Sequence, residues 1–163
     1  MGCFVNGLLS MQKKIFLIVF LISSAFSFSQ KIINIDGLYY DPRGNLYSGT
    51  YIEHFGDSGW LKVIMPVRNG MAEGEVIYFY ENGKQKESRF YSEGILDGVW
   101  TEWDTNGVKT AEARYYKGAK NGAWYIWDSE ANLRVEMFYN LGRRAGRWIY
   151  YDEKGNIISD KIF

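Results

Sequence analysis

"YSEGILDGVWTEWDTNG", residues 91–107, sets Trp100 and Trp103 three residues apart, with Gly94 and Gly98 before them and Asn106-Gly107 after. The same phrasing returns as "YNLGRRAGRWIYYDEKG" at residues 139–155. Recurrence of this kind marks a repeat architecture, and a missed repeat misreads the whole fold. Aligned on a leading glycine, units begin at Gly74, Gly98, Gly122 and Gly146, 24 residues apart each time. A unit from Gly49 runs 25 residues, with one extra around "HFGDSG" (54–59), and "DGLYYDPRGNLYSG" (36–49) supplies a shortened opening unit over 36–48.

The columns repeat chemistry as well as spacing. The second position after the leading glycine holds Tyr51, Val76, Trp100, Trp124 and Trp148, and the fifth holds Phe79, Trp103, Trp127 and Tyr151. Asp104, Asp128 and Asp152 follow, then Gly83, Gly107 and Gly155 at the ninth position, where Ala131 stands in the unit from Gly122. The seventeenth position holds Tyr91, Tyr115, Tyr139 and Phe163. Aromatic and β-branched residues in short runs, punctuated by Asn-Gly and by G-x-x-x-G pairs such as Gly94 and Gly98, predict a β-hairpin per unit. Positions two and five lie an odd number of residues apart, so on a flat strand they point to opposite faces. The spacing therefore predicts one of two arrangements: a bulge in the strand, or aromatic rows on both faces.

The chain has 163 residues, 18% aromatic with two prolines, a composition that excludes disorder. Lys plus Arg equals Asp plus Glu at 19 each, so no charge excess draws it to nucleic acid. Lys13 and Lys14 precede the apolar run "IFLIVFLI" (15–22), and Ser27 and Ser29 carry the small-residue spacing of a signal-peptidase site. Residues 1–29 are accordingly read as a helical signal peptide, with Met11 as an alternative start, and 30–163 as the repeat domain. The expected location is periplasmic or secreted, with association to the envelope as a variant of it. Cys3, the one cysteine, falls in the removed segment, which leaves no thiol for catalysis, disulfides or metal in the mature chain.

The unit approximated by residues 82–107, with Asn82-Gly83-Lys84, Tyr91, Gly94, Gly98, Trp100, Trp103 and Asn106-Gly107, resembles the MORN-repeat variant of bacterial proteins labelled YwqK-family antitoxins. The likeness runs from about Asp36 to Phe163. It implies an all-β fold, an elongated antiparallel meander of stacked hairpins. It also implies a non-enzymatic protein that binds another protein through its sheet, in the concrete form of toxin neutralisation or immunity by occlusion. The alternative is an envelope scaffold that self-associates or touches membrane or glycan.

Candidate chemistry is sparse. His54, the single histidine, occupies an aromatic position of the irregular unit with no second histidine and no nucleophile pattern beside it. One Asp per unit does not supply the six to eight oxygens that calcium takes, so Asp104, Asp128 and Asp152 read as turn formers. Glu87, Glu112 and Glu136, among Lys86, Arg89, Lys109, Arg114 and Arg134, are expected to form cross-strand charge pairs on a solvated face. Arg143, Arg144 and Arg147 make the densest basic turn. No catalytic, cofactor-binding or metal residue is assigned, and no cofactor is expected. The tryptophan and tyrosine columns are expected to be chiefly structural; the rival reading leaves one row exposed as a stacking surface for sugars, peptides or a partner protein.

Overall fold

Glycine where the chain must turn and rings where it must extend leave the backbone little choice in each unit, and the same hairpin recurs along the chain. The computed structural model describes residues 31–163; the segment read as a signal peptide lies outside the described residues. The strands are β1 (Ile33–Ile35), β2 (Leu38–Tyr40), β3 (Gly49–His54), β4 (Leu61–Arg68), β5 (Met71–Ala72), β6 (Gly74–Phe79) and β7 (Gln85–Ser92). They continue as β8 (Ile95–Trp103), β9 (Lys109–Tyr116), β10 (Ala119–Lys120), β11 (Gly122–Trp127), β12 (Leu133–Asn140), β13 (Arg143–Tyr151) and β14 (Ile157–Ile162). There is no helix among the described residues.

Strands β1 and β2 form a two-stranded sheet, and β3 to β14 form one 12-stranded antiparallel sheet whose neighbours follow chain order. The fold is therefore a meander of hairpins, all-β as the repeat predicts. Two kinds of turn alternate along its edges. On one edge, Asn69-Gly70, Glu93-Gly94, Lys117-Gly118 and Leu141-Gly142 each place two successive residues at positive φ, 46–50° and then 77–84°. Both central residues at positive φ define the type I′ hairpin turn, whose twist matches that of the strands it joins. On the other edge, Gly83, Gly107, Ala131 and Gly155 take φ of 79°, 87°, 62° and 81° at the end of a longer loop. Ala131 thus holds the glycine geometry with a Cβ attached, a strained arrangement for an L-residue.

Each unit departs from a flat ladder at two places. Between Glu102↔Ala111 and Trp103↔Lys109, strand β9 carries one surplus residue, Thr110; Lys86, Arg134 and Ile158 are its equivalents. At the leading glycines the surplus is on the other strand, as between Arg89↔Trp100 and Tyr91↔Leu96. Gly98 sits there at φ +123°, where a Cβ would stand 2.9 Å from the Cβ of Phe90. Only glycine serves at such a kink.

Of the two arrangements expected for positions two and five, the second holds, with aromatic rows on both faces. Trp100 pairs with Ala113, Trp124 with Met137 and Trp148 with Lys161, so these rings share one face. The bulge lies on the partner strand, alternation along "VWTEW" is unbroken, and Trp103, Trp127 and Tyr151 fall on the opposite face. At the opening end the first face buries Val63, Met65, Val67 and Val76, with Tyr39, Tyr47 and Tyr51 packed against them. The Tyr39 and Tyr51 rings are 5.0 Å apart, and Gly70 donates its N–H to the Tyr47 carbonyl at 2.7 Å, which ties the shortened opening unit to the sheet.

Relieving the strain at Ala131 should stabilise the chain. Ala131→Gly is expected to add about 0.5–1 kcal/mol, the αL relief less the extra unfolded-state entropy of glycine. A higher urea midpoint at unchanged slope would register it.

Candidate functional surface

Because the first face receives every position-two ring, neighbouring rings meet across the strands. Trp100 and Trp124 lie 6.3 Å apart between centroids, Tyr115 and Trp124 5.4 Å, Trp124 and Tyr139 5.2 Å, Tyr139 and Trp148 5.2 Å, and Trp148 and Phe163 4.9 Å. All are tilted pairs within the range that ring quadrupoles favour. Ala113, fully buried, lies on the strand between Trp100 and Trp124, and its small side chain lets the two indoles lean together.

The polar handles of this row are committed inside the chain. The indole N–H of Trp148 donates to the Phe138 carbonyl at 2.9 Å and that of Trp124 to the Arg114 carbonyl at 3.2 Å; that of Trp100 donates to the Glu87 carboxylate. Two cations cover the outer side. Lys120 Nζ stands 4.2 Å from the Trp124 centroid and 5.0 Å from that of Tyr139, and the Arg144 guanidinium 4.8 Å from Trp148 and 5.4 Å from Phe163. Lys120 and Arg144 occupy equivalent positions in successive units, two residues before a leading glycine, where Leu96 and Ala72 stand earlier. Sequence reading missed this column because it turns cationic only in the tryptophan-bearing units. The second-position indoles are bonded and stacked within the chain, and Lys120 and Arg144 lie over Trp124 and Trp148.

The opposite face differs. Phe79, Trp103, Trp127 and Tyr151 are half-buried, as Trp100 and Trp124 are, but among the described residues the indole N–H groups of Trp103 and Trp127 donate to nothing. Lys109 Nζ lies 4.4 Å from the Trp127 centroid, and Phe90 and Phe138 are exposed on the same face, 40% and 44%. This is the second aromatic row that the spacing allowed.

The carboxylates corrected one expectation. Glu87 is not on a solvated face: it is 8% exposed on the ring-bearing face, accepting from Arg89 at 2.6 Å as well as from Trp100. That hydrogen bond holds the Arg89 guanidinium charged, pushing its pKa further up. Glu112 and Glu136 lie on the open face on either side of Tyr125. Lys109 holds Glu112 along the same strand at 3.0 Å, and the Tyr151 hydroxyl donates to Glu136 at 2.5 Å, which pushes the phenol pKa up. His54 is exposed at the end of β3, and its imidazole makes no hydrogen bond among the described residues. The basic turn does not form one patch, for Arg144 stacks on Trp148 while Arg147 forks onto Asp160 at 2.9 and 2.5 Å.

The turn aspartates are spent on their own backbone. Asp104 accepts from the N–H groups of Asn106 and Val108 at 2.8 and 2.9 Å, Asp128 from Glu130 and Asn132 at 3.0 and 2.9 Å, and Asp152 from Lys154 and Asn156 at 2.8 Å each. Asp41 repeats the pattern with Arg43 and Asn45, both at 2.9 Å. The backbone bond from Asn45 lowers the Asp41 carboxyl from 3.8 to about 2, and that from Asn132 does the same for Asp128. Asp104 and Asp152 are lowered as well, chiefly by Val108 and Asn156.

A family model described as a MORN repeat variant matches residues 72–93 and 96–117, over the β5–β7 and β8–β9 segments. No curated protein matches the chain.

Two outcomes follow for this surface. Ala113→Leu should cost about 1–3 kcal/mol by forcing the indoles apart, read as a lower denaturant midpoint. Acid should loosen the turns in a defined window: a depressed carboxyl contributes its full stability above the unfolded value of 3.8 and loses it as pH falls towards about 2. The double variant Asp41→Asn/Asp128→Asn should accordingly lose less of its midpoint across that window than the parent chain.

Proposed function

We propose that this is an exported, non-enzymatic repeat protein that binds another protein through the face carrying Trp103, Trp127 and Tyr151. One observation carries the assignment of the face: the position-two indole N–H groups are all bonded within the chain, whereas those of Trp103 and Trp127 donate to nothing among the described residues. Trp and Tyr of this kind are favoured binding anchors. MORN repeats are commonly protein- or membrane-binding, which agrees with this class of function. Export rests on Lys13, Lys14, the run at 15–22 and the Ser27/Ser29 spacing. The most specific form, drawn from the resemblance to YwqK-labelled antitoxins, is neutralisation of a toxin by covering its active surface.

A second reading, an envelope scaffold that self-associates, draws on β14. This strand lies at an edge of the described sheet and exposes Ile157, Ile158 and Ile162, the last at 85%.

The test is in-cell crosslinking and affinity capture of the tagged chain with its own leader, followed by mass spectrometry. The expected result is one dominant stoichiometric protein, lost from Trp103→Ala/Trp127→Ala while the circular dichroism spectrum is retained. Recovery of only the chain itself or bulk envelope proteins would transfer the reading to the scaffold. Undiminished capture by the double variant would overturn the assignment of the face.

A further inference from the structure

The unit from Gly49, one residue longer than the 24-residue period, builds a hollow against the loop that follows it. In the regular hairpins the loop encloses three residues, as between the Tyr80 N–H and the Lys84 carbonyl; here it encloses four, between the Phe55 N–H and the Trp60 carbonyl at 2.9 Å. The longer loop is ordered from within. The Ser58 hydroxyl donates to the Phe55 carbonyl at 2.6 Å and accepts from the Trp60 N–H at 3.3 Å. Trp60 is carried outward, 55% exposed, and its ring is propped on the next turn, where a Cβ on Gly83 would stand 3.2 Å from it. Phe55, Asp57, Ser58, Trp60 and Glu81 line one shallow hollow between the two loops.

The charges there are of one sign. Asp57 and Glu81 are exposed and make no ion pair among the described residues. The cations nearest in sequence are engaged elsewhere: Lys62 with Glu53 at 2.7 Å, and Lys84 with the Asn106 carbonyl at 2.9 Å. An open indole beside two unpaired carboxylates suits a planar cation, because a guanidinium stacks on the ring while its edge donates to the carboxylates. A neutral sugar would use the ring but not the excess of negative charge. We propose that this hollow binds an arginine side chain presented by a polypeptide. The site stands apart from the Trp103/Trp127 row, and its test does not depend on that row's having a partner.

The full chain, labelled with 5-fluorotryptophan, is titrated with N-acetyl-argininamide and followed by fluorine NMR, the Trp60 signal being assigned with Trp60→Phe. The expected result is a saturable shift of the Trp60 signal alone among the six tryptophans. Asp57→Asn/Glu81→Gln should weaken it by about tenfold or more, and added salt should weaken it too. The unmoved signals of the other tryptophans report that the variant is folded. Absence of a shift, indifference to the double variant, or a larger response to methyl glucoside at equal concentration would each overturn the assignment.

Discussion

A single-layered sheet has no second layer to bury its apolar face, and the stacking of rings from neighbouring strands is what takes the place of that layer. From the unit at Gly98 onward, position two supplies one ring and position seventeen of the same unit the next, so that Trp124 touches Trp100, Tyr115 and Tyr139, and Tyr139 touches Trp148. Large rings make this workable, since each can bury on the order of 150–250 Å² against its neighbours. Stability in such an array is a sum of nearest-neighbour terms. The small Ala113 beneath the indoles and the cations above them belong to the same term.

That stacking tolerates no slip in register, because a shift of one residue sends every ring to the other face. Register is held at the edges. Turn glycines donate to the preceding unit at matching places, Gly94 to the Ala72 carbonyl, Gly118 to that of Leu96 and Gly142 to that of Lys120, at 2.8–2.9 Å. Side chains reinforce the ladder: Glu73 receives the Glu93 N–H at 2.7 Å and Asn121 the Leu141 N–H at 3.2 Å. The opposite edge is held by Asp104, Asp128 and Asp152, each gripping its own loop. The turns therefore do more than reverse the chain; they index one unit against the next.

Much of this was legible in the residues alone, because a repeat states its rules several times over. The glycine and tryptophan columns disclosed the hairpin, its length and its turns, and Ala131 was recognisable as a substituted turn glycine. The distribution of rings between faces was not decidable, since parity along a strand depends on which partner carries the bulge, and Thr110 has no signature that Glu102 lacks. Glu87 read as solvated because a charge in an alternating strand normally is; its burial depends on Arg89 and on an indole thirteen residues away. The hollow at Trp60 was invisible for a different reason, since it needs Glu81 from the next loop to come alongside the insertion.

The two aromatic rows can be close in composition and differ in the bonding of their indole N–H groups because hydrogen-bond supply is unequal on the two faces. On the first face the kinked leading strand brings the Arg114 and Phe138 carbonyls within reach of Trp124 and Trp148. On the second face the position-five rings stand beside the longer loops, whose carbonyl and N–H groups are already paired across the turn, as between Asp104 and Val108 or Asp128 and Asn132. Among the described residues the indole N–H groups of Trp103 and Trp127 find no acceptor there. The difference is thus a consequence of the turn that follows each short strand, since the loop that closes the hairpin has its own polar groups already paired.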